Sequence, residues 1–150
     1  MHIITVLFTH VWLLSAAWTD FKYRKVSNRW CLFGFIVAMI LVITRSISEG
    51  GGLAFFLGRI FSALFAGGFL LLGALIRRGG IGIGDVKVFF VLGLLLGIET
   101  VGIVLFLTLV ISLMVAAFGL INRRISRRYA LPLCTFAYFA VMCVCLFGEC

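Results

Sequence analysis

Two aspartates, Asp20 and Asp85, are the only aspartates in the chain, and each lies in a short polar stretch. Asp20 opens a run that ends at Asn28, and Asp85 closes the run Gly82-Ile83-Gly84-Asp85. Two carboxylates that share a site cannot both ionise easily, so one keeps a proton while the other stays charged. The charged one can activate water as a general base, and the protonated one can polarise a carbonyl group. The pair therefore predicts hydrolytic acid–base chemistry, with the two roles unassigned.

Each aspartate alone also has a simpler interpretation. Asp85 directly precedes an apolar segment, which is a common position for a helix N-cap. Asp20 could be a solvated carboxylate beside Lys22 and Arg24. Lys22, Arg24 and Lys87 could orient the carboxylates or bind substrate, but they could equally be topology signals of a membrane protein. The catalytic interpretation rests on the pair and its flanking residues together.

Glycines and an amide flank the two carboxylates. Gly82 and Gly84 give backbone conformations that other residues avoid, and they leave room for an approaching peptide. Asn28 ends the polar run that begins at Asp20. A phosphate-binding loop is excluded because Gly84 precedes Asp85 rather than a Lys-Ser or Lys-Thr pair. We expect Gly82, Gly84 and Asn28 to support the site.

The sequence has few residues that could form another catalytic set or a metal site. The chain has two histidines, and His10 is alone in an apolar segment with no acid on its face. The five cysteines fall mainly in apolar segments, where cysteine usually behaves as a small buried residue. Cys143 and Cys145 would point to different sides of a helix, so their spacing does not predict a metal site. We expect neither a metal nor a cofactor.

The composition indicates what kind of protein must hold these residues. Of the 150 residues, 64% are hydrophobic and 12% are charged, which is too few polar groups to cover a water-soluble domain. One proline and long apolar runs favour helices over a lipid-facing barrel. We therefore predict an all-α polytopic membrane protein, a single domain over residues 1–150. Small residues, among them Gly68 and Gly93, predict close contacts between its helices.

Six apolar segments are candidates for membrane spans of about 20 residues. They cover approximately residues 3–19, 30–46, 53–76, 86–98, 100–121 and 130–148. The fourth is short, so one of its ends should lie within the bilayer or the helix should be capped by re-entrant backbone. The end at Asp85 could be the submerged one.

The basic residues between the segments predict an orientation. The net charge of +8 comes from clusters that follow the first, third and fifth segments. Lys and Arg accumulate on the cytoplasmic side, so both aspartates should face the cytoplasm and both termini should lie outside. Such clusters are typical of contact with anionic lipid rather than of nucleic-acid binding, and no nucleic-acid partner is expected.

The two polar stretches together resemble those of the type IV prepilin peptidases. These membrane aspartic proteases share a Gly-x-Gly-Asp signature with presenilin and signal peptide peptidase. In the family, the first aspartate begins an Asp-x-(Lys/Arg)-x-Arg-(Lys/Arg)-(Ile/Val)-Pro-Asn stretch, which is similar to residues 20–28 with Ser27 in place of the proline. The second lies in Gly-x-Gly-Asp-x-Lys, which matches Gly82 through Lys87.

The resemblance implies a function for the chain. It implies that Asp20 and Asp85 are catalytic and that the substrates are prepilin or pseudopilin precursors, whose short basic leader is removed after a glycine, just ahead of an apolar helix. It implies a multi-pass protein of the cell inner membrane, with its active site at the cytoplasmic face and membrane lipid around it. Longer relatives carry an N-terminal segment with paired cysteine motifs and also methylate the product. This chain starts directly in an apolar segment, so the resemblance implies a peptidase without methyltransferase activity, like the short members that serve Flp or Tad-type pili.

One different class of function uses the same carboxylates. A small proton-coupled transporter or channel would carry protons on Asp20 and Asp85 instead of cleaving peptides. It needs a polar path across the bilayer, and the second, third and fifth segments have few acidic or amide residues midway.

Overall fold

The protein is a bundle of α-helices. The computed structural model describes residues 2–23, 27–48, 50–76, 82–121 and 133–146. These ranges form six helices in chain order: α1 (His2–Tyr23), α2 (Asn28–Ser48), α3 (Gly52–Ile76), α4 (Ile83–Leu96), α5 (Ile98–Ile121) and α6 (Leu133–Leu146). The prediction of an all-helical protein is therefore confirmed.

The helix boundaries differ from the predicted segments at the two aspartates. The sequence predicts Asp20 and Asp85 in polar stretches next to the helices, but α1 continues to Tyr23 and α4 begins at Ile83. A helix is closed by backbone hydrogen bonds, so it can continue through a polar residue after its apolar run has ended. Each aspartate is consequently fixed in a regular turn of helix.

Four helices are long and apolar enough to cross a membrane, as expected of a multi-pass membrane protein. They are the helical stretches Ile3–Tyr23, Asn28–Ser48, Gly52–Ile76 and Ile98–Gly119. Large apolar side chains such as Leu14, Phe69 and Phe106 are exposed on these helices, where lipid would cover them. In the described ranges α4 and α6 are shorter, with 14 residues each. The basic residues that predict the orientation include Arg24, Lys25, Arg77, Arg78 and those at 123–128, which lie outside the described residues.

Helix α4 occupies the centre of the bundle and contacts each of the other five helices. From Val88 to Leu96 its residues are apolar on all sides, as expected of a helix that is surrounded by others. Val88, Phe89, Leu92 and Leu95 are among its buried side chains. The bundle therefore places Asp85 at one end of its most enclosed helix.

Helices α3 and α4 pack closely because Gly93 lies where they meet. A Cβ atom at Gly93 would come within 2.5 Å of Ala63 Cα and 2.6 Å of the Ser62 carbonyl oxygen. Real Cβ atoms do not approach other atoms this closely, so only glycine fits at this position without moving a helix. The predicted close contact at Gly93 is confirmed. At Gly68 a Cβ atom would meet no neighbouring atom of the described residues within 4 Å, so the same expectation is wrong there.

The C-terminal end of α4 is held by an arginine of α3. Gly97 ends the helix with a φ of +88°, a conformation that favours glycine, and its N–H donates to the Gly93 carbonyl oxygen at 3.2 Å. Arg59 Nη1 donates a hydrogen bond of 3.0 Å to the Leu95 carbonyl oxygen. The guanidinium also lies 4.9 Å from the centre of the Phe55 ring. A cation at this end complements the negative pole of the helix dipole.

Candidate active site

The two aspartates, 65 positions apart in the sequence, meet in the folded chain. Asp20 comes from the C-terminal end of α1 and Asp85 from the first turn of α4. One carboxylate oxygen of each, together with Cys134 Sγ, forms a group whose atoms all lie within 4.8 Å of one another. A water molecule that hydrogen-bonds two oxygens at about 2.8 Å each can bridge such a gap. The sequence predicts that the two aspartates share a site. Their carboxylate oxygens are close enough in the structure for one water molecule to contact both.

The two carboxylates are shielded from solvent to different degrees. Asp20 is only 6% exposed, although it is a charged residue type, and Asp85 is partly buried. Burial without compensation destabilises an ionised carboxylate, and so does a second carboxylate nearby. Both effects favour a state in which the pair keeps one proton.

Gly82 allows the Asp85 carboxylate to reach its position. Gly82 is the N-cap residue of α4, and its carbonyl oxygen accepts from the Asp85 N–H at 3.0 Å. A Cβ atom at Gly82 would lie 3.2 Å from Asp85 Oδ2, which is tighter than an ordinary contact. The interpretation of Asp85 as an N-cap is therefore wrong, since Gly82 holds that position. Gly84 lies between them in the first turn, and its supporting role stays a prediction.

Cys134 is a site residue that the sequence does not reveal. It is the second residue of α6 and is fully buried. Its backbone N–H donates to Asp20 Oδ2 at 3.2 Å, and its thiol Sγ donates to Asp85 Oδ1 at 3.0 Å. The sequence context indicates only a small buried hydrophobic residue, and nothing nearby in the chain marks Cys134 as a hydrogen-bond donor to an acid 49 positions away.

Two of the predicted supporting residues contact each other. Lys87 Nζ donates to Asn28 Oδ1 at 2.5 Å, which joins the end of the first polar stretch to the end of the second. Lys22 is exposed, and its ammonium lies 5.4 Å from the centre of the neighbouring Tyr23 ring. Arg24 lies outside the described residues.

A cavity of about 510 Å³ lies between α2 and α4. It is lined by Asn28, Arg29, Cys31, Leu32, Phe35, Val86, Lys87, Phe90 and Val91. Two of its lining residues, Val86 and Lys87, directly follow Asp85 in α4. Its wall is mainly apolar, and its polar residues come from the first turn of α2 and from Lys87. Such a space suits an apolar side chain or segment next to the reacting bond.

Two carboxylates and a thiol are also donor types that bind metal ions. A thiol binds a metal as the thiolate, and with its proton it can instead donate the 3.0 Å hydrogen bond from Cys134 Sγ to Asp85 Oδ1.

His10 is not part of the carboxylate group. It lies ten residues before Asp20 on α1, about 15 Å along the helix axis. Its ring packs edge-on against Tyr138 of α6, with 6.4 Å between the ring centres.

The fold and the site define a class of protein: a multi-pass helical membrane protein with a buried pair of carboxylates contributed by two helices. Comparison with known proteins identifies the family. The chain belongs to the type IV leader peptidase family, whose model matches residues 7–120. This range includes Asp20 and Asp85 but ends before α6 and Cys134.

One curated relative is a prepilin leader peptidase/N-methyltransferase from Bacillus subtilis (strain 168). The two sequences are 29% identical over 122 residues, which is 80% of this chain and 46% of the relative. The chain thus spans about half the length of that relative. No solved structure matches the chain significantly.

Proposed function

We propose that this protein is an aspartic endopeptidase that removes the basic leader peptide from prepilin or pseudopilin precursors. The observation that carries the proposal is the meeting of Asp20 and Asp85, with carboxylate oxygens within 4.8 Å. Membership of the type IV leader peptidase family supports the substrate class. The proposed reaction uses the two carboxyl groups alone, because together they can supply both the base and the acid.

The proposed reaction begins with a water molecule held between the two carboxyl groups. The ionised carboxylate takes a proton from this water while the water oxygen attacks the carbonyl carbon of the scissile peptide. The protonated carboxyl group hydrogen-bonds the carbonyl oxygen and stabilises the negative charge that develops on it. The tetrahedral intermediate then collapses, a carboxyl group gives its proton to the amide nitrogen, and the C–N bond breaks. The products are the leader with a free carboxyl group and the mature chain with a free amine.

The cavity between α2 and α4 is the proposed place for the substrate segment next to the cleaved bond. Its apolar wall, which includes Phe35 and Phe90, matches an apolar segment that follows a leader peptide. Lys87 and Arg29 at its polar side could contact a carboxyl group of the substrate. Desolvated apolar contacts of this kind position a substrate along the site.

The proposed location of the site is the cytoplasmic face of the cell inner membrane. The basic clusters after the first, third and fifth apolar segments support it, because Lys and Arg are enriched in cytoplasmic loops. A thiol-labelling test would place the two ends of α2, with a cysteine introduced at position 25 or 50 of a variant whose five native cysteines are replaced by serine. We expect labelling from the cytoplasm at position 25 and from outside at position 50, and the reverse pattern would contradict this orientation.

A proton-coupled transporter is less well supported than the peptidase. It would need polar groups along a path through the bundle. Apart from Asp20, the buried polar residues in the described ranges are Thr5, Thr9, Ser62 and Thr108. The hydroxyls of Thr9, Ser62 and Thr108 each donate to the carbonyl oxygen four residues earlier in their own helix. Their donors are thus satisfied by the backbone and do not form a proton path.

Substitution of the two aspartates tests the proposal. We expect Asp20→Asn and Asp85→Asn each to abolish cleavage of a co-expressed prepilin, because an amide can neither take up the proton of water nor share one. Cleavage is read as the loss of the leader mass from the pilin by mass spectrometry. Glu99→Gln is a matched control, since Glu99 is an exposed acid in the first turn of α5.

The controls separate catalysis from folding. Membrane fractionation must recover each Asn variant at the level of the unsubstituted protein. Full processing of the prepilin by both Asn variants would refute the carboxylate mechanism. Proton flux into proteoliposomes that depends on the aspartates, without any peptide cleavage, would favour the transporter instead.

A further inference from the structure

We propose that Cys134 is a positioning residue that sets the relative arrangement of Asp20 and Asp85. The inference rests on the proposed function, because it assigns Cys134 a task in the same carboxylate pair. The family match ends at residue 120, so it does not assign any role to Cys134.

One residue contacts both acids through two different groups. The backbone N–H of Cys134 donates to Asp20 Oδ2 at 3.2 Å, and the thiol donates to Asp85 Oδ1 at 3.0 Å. The two donors are joined by only a few covalent bonds, so they limit how far the two carboxylates can separate. A residue that contacted one carboxylate alone would not have this effect.

The position of Cys134 on α6 explains why its N–H is free to bond a side chain. The first four N–H groups of an α-helix have no acceptor within the helix. Cys134 is the second residue of α6 as described, so its N–H belongs to this group. A helix N-terminus also favours nearby negative charge, which suits an ionised member of the pair.

A cysteine side chain satisfies two requirements of this position. The residue is 0% exposed, so the side chain must be small and mostly apolar. It must also donate to Asp85, because a buried carboxylate oxygen without a donor is destabilised. The thiol meets both requirements, whereas alanine meets only the first.

The other helices around the carboxylates also bring ionisable groups to this region. Cys31 of α2 lines the adjoining cavity and is buried, and Lys87 of α4 lies in the same lining and bonds Asn28. Among these groups Cys134 is the one with hydrogen bonds to both acids in the described part of the chain.

Two substitutions at Cys134 distinguish positioning from packing. Cys134→Ala removes the donor and keeps the backbone N–H, and Cys134→Ser keeps a donor in a side chain of similar size. We expect Cys134→Ala to lower kcat for cleavage of a prepilin by roughly tenfold to a hundredfold, with KM changed less than about threefold. Cys134→Ser should restore kcat to within a few-fold. Cys143→Ala is the matched control, because Cys143 is an exposed free cysteine on the same helix.

The pH dependence gives a readout that a packing role would not change. Loss of a donor to an ionised carboxylate makes that carboxylate easier to protonate. In Cys134→Ala one limb of the pH–rate profile should therefore move to higher pH, the acid limb where Asp85 is the base and the alkaline limb where Asp85 is the acid. Cys134→Ser and Cys143→Ala should keep the original profile. The measurement uses the full chain in detergent micelles with a purified prepilin as substrate.

Each outcome decides the inference. An alanine variant with unchanged kcat and pH profile overturns it. Equal losses of activity in the alanine and serine variants, with unshifted profiles, also overturn it and indicate packing alone. If the alanine variant does not fold, the serine variant decides, since a serine variant that folds but is inactive contradicts the need for a donor.

The Asn variants of the aspartates distinguish the positioning role of Cys134 from the proposed function. If the Asn variants still cleave the prepilin, the proposed function fails. If they are inactive while Cys134→Ala is fully active, only the positioning role fails.

Discussion

Gly93→Ala is expected to damage both stability and activity, although a Gly to Ala change normally favours a helix by about 1 kcal/mol. The added Cβ would lie 2.5 Å from Ala63 Cα and 2.6 Å from the Ser62 carbonyl oxygen. Ordinary carbon contacts are about 3.5–4.0 Å, so α3 and α4 must separate by roughly 1 Å at this point. Both neighbouring atoms belong to the backbone and cannot rotate away. Overpacking of this kind costs about 1–3 kcal/mol.

The shift should also reach the carboxylates. Asp85 precedes Gly93 by eight residues, about 12 Å along the axis of α4. A helix transmits displacement as a nearly rigid body, and a misplacement of about 1 Å in a catalytic group can lower the rate by about a hundredfold. We therefore expect Gly93→Ala to lower the cleavage rate by tenfold or more.

The assay compares Gly93→Ala with a matched glycine of α3. Gly68→Ala is the control, since a Cβ there meets nothing within 4 Å and should leave stability unchanged or slightly raised. Thermal unfolding in detergent micelles gives the stability, and cleavage of a prepilin gives the activity. If Gly93→Ala matches Gly68→Ala in both measurements, close helix packing at Gly93 does not control the site and the reasoning is refuted.

Two further predictions concern the contacts that hold the ends of α4. Arg59→Met should lower the free energy of unfolding by about 1–3 kcal/mol, because it removes the hydrogen bond to the Leu95 carbonyl oxygen, and an unchanged unfolding midpoint would contradict this. Lys87→Met and Asn28→Leu should act non-additively on stability, with a coupling of about 0.5–1 kcal/mol, because each removes the same 2.5 Å hydrogen bond between exposed groups. A double-mutant cycle measures this coupling, and strictly additive effects would show that the bond contributes nothing.

The helices could be predicted because the bilayer limits what an apolar chain can do. Its hydrocarbon core needs segments of about 20 apolar residues, and backbone groups within it must be hydrogen-bonded internally. The order of the six helices follows from these constraints alone. The boundaries at Asp20 and Asp85 differ by a few residues from the prediction because hydropathy marks where apolar side chains end, whereas a helix ends where its hydrogen bonds stop.

The site could be predicted only in part. Asp20 and Asp85 stand out because aspartate is costly in an apolar chain and because their flanking residues resemble a known pattern. The bond between Lys87 and Asn28 joins residues 59 positions apart, and no local pattern reports such a contact. Cys134 is harder still to predict, because the donor to Asp20 is a backbone N–H that any residue except proline would provide.

The contacts among the helices show how α6, which carries neither aspartate, can affect the positions of Asp20 and Asp85. Helix α1, which carries Asp20, packs mainly against α6 and contacts α4 over only a few residues. Helix α4, which carries Asp85, packs mainly against α3 and α2. Helix α6 packs closely against α1, to which it donates a hydrogen bond of 3.4 Å from Thr135 Oγ1 to the Ala17 carbonyl oxygen. It contacts α4 over only a few residues, but Cys134 of α6 bonds both Asp20 and Asp85. A change that moves α6 should disturb the distance between the carboxylates even if neither aspartate nor its own helix is altered.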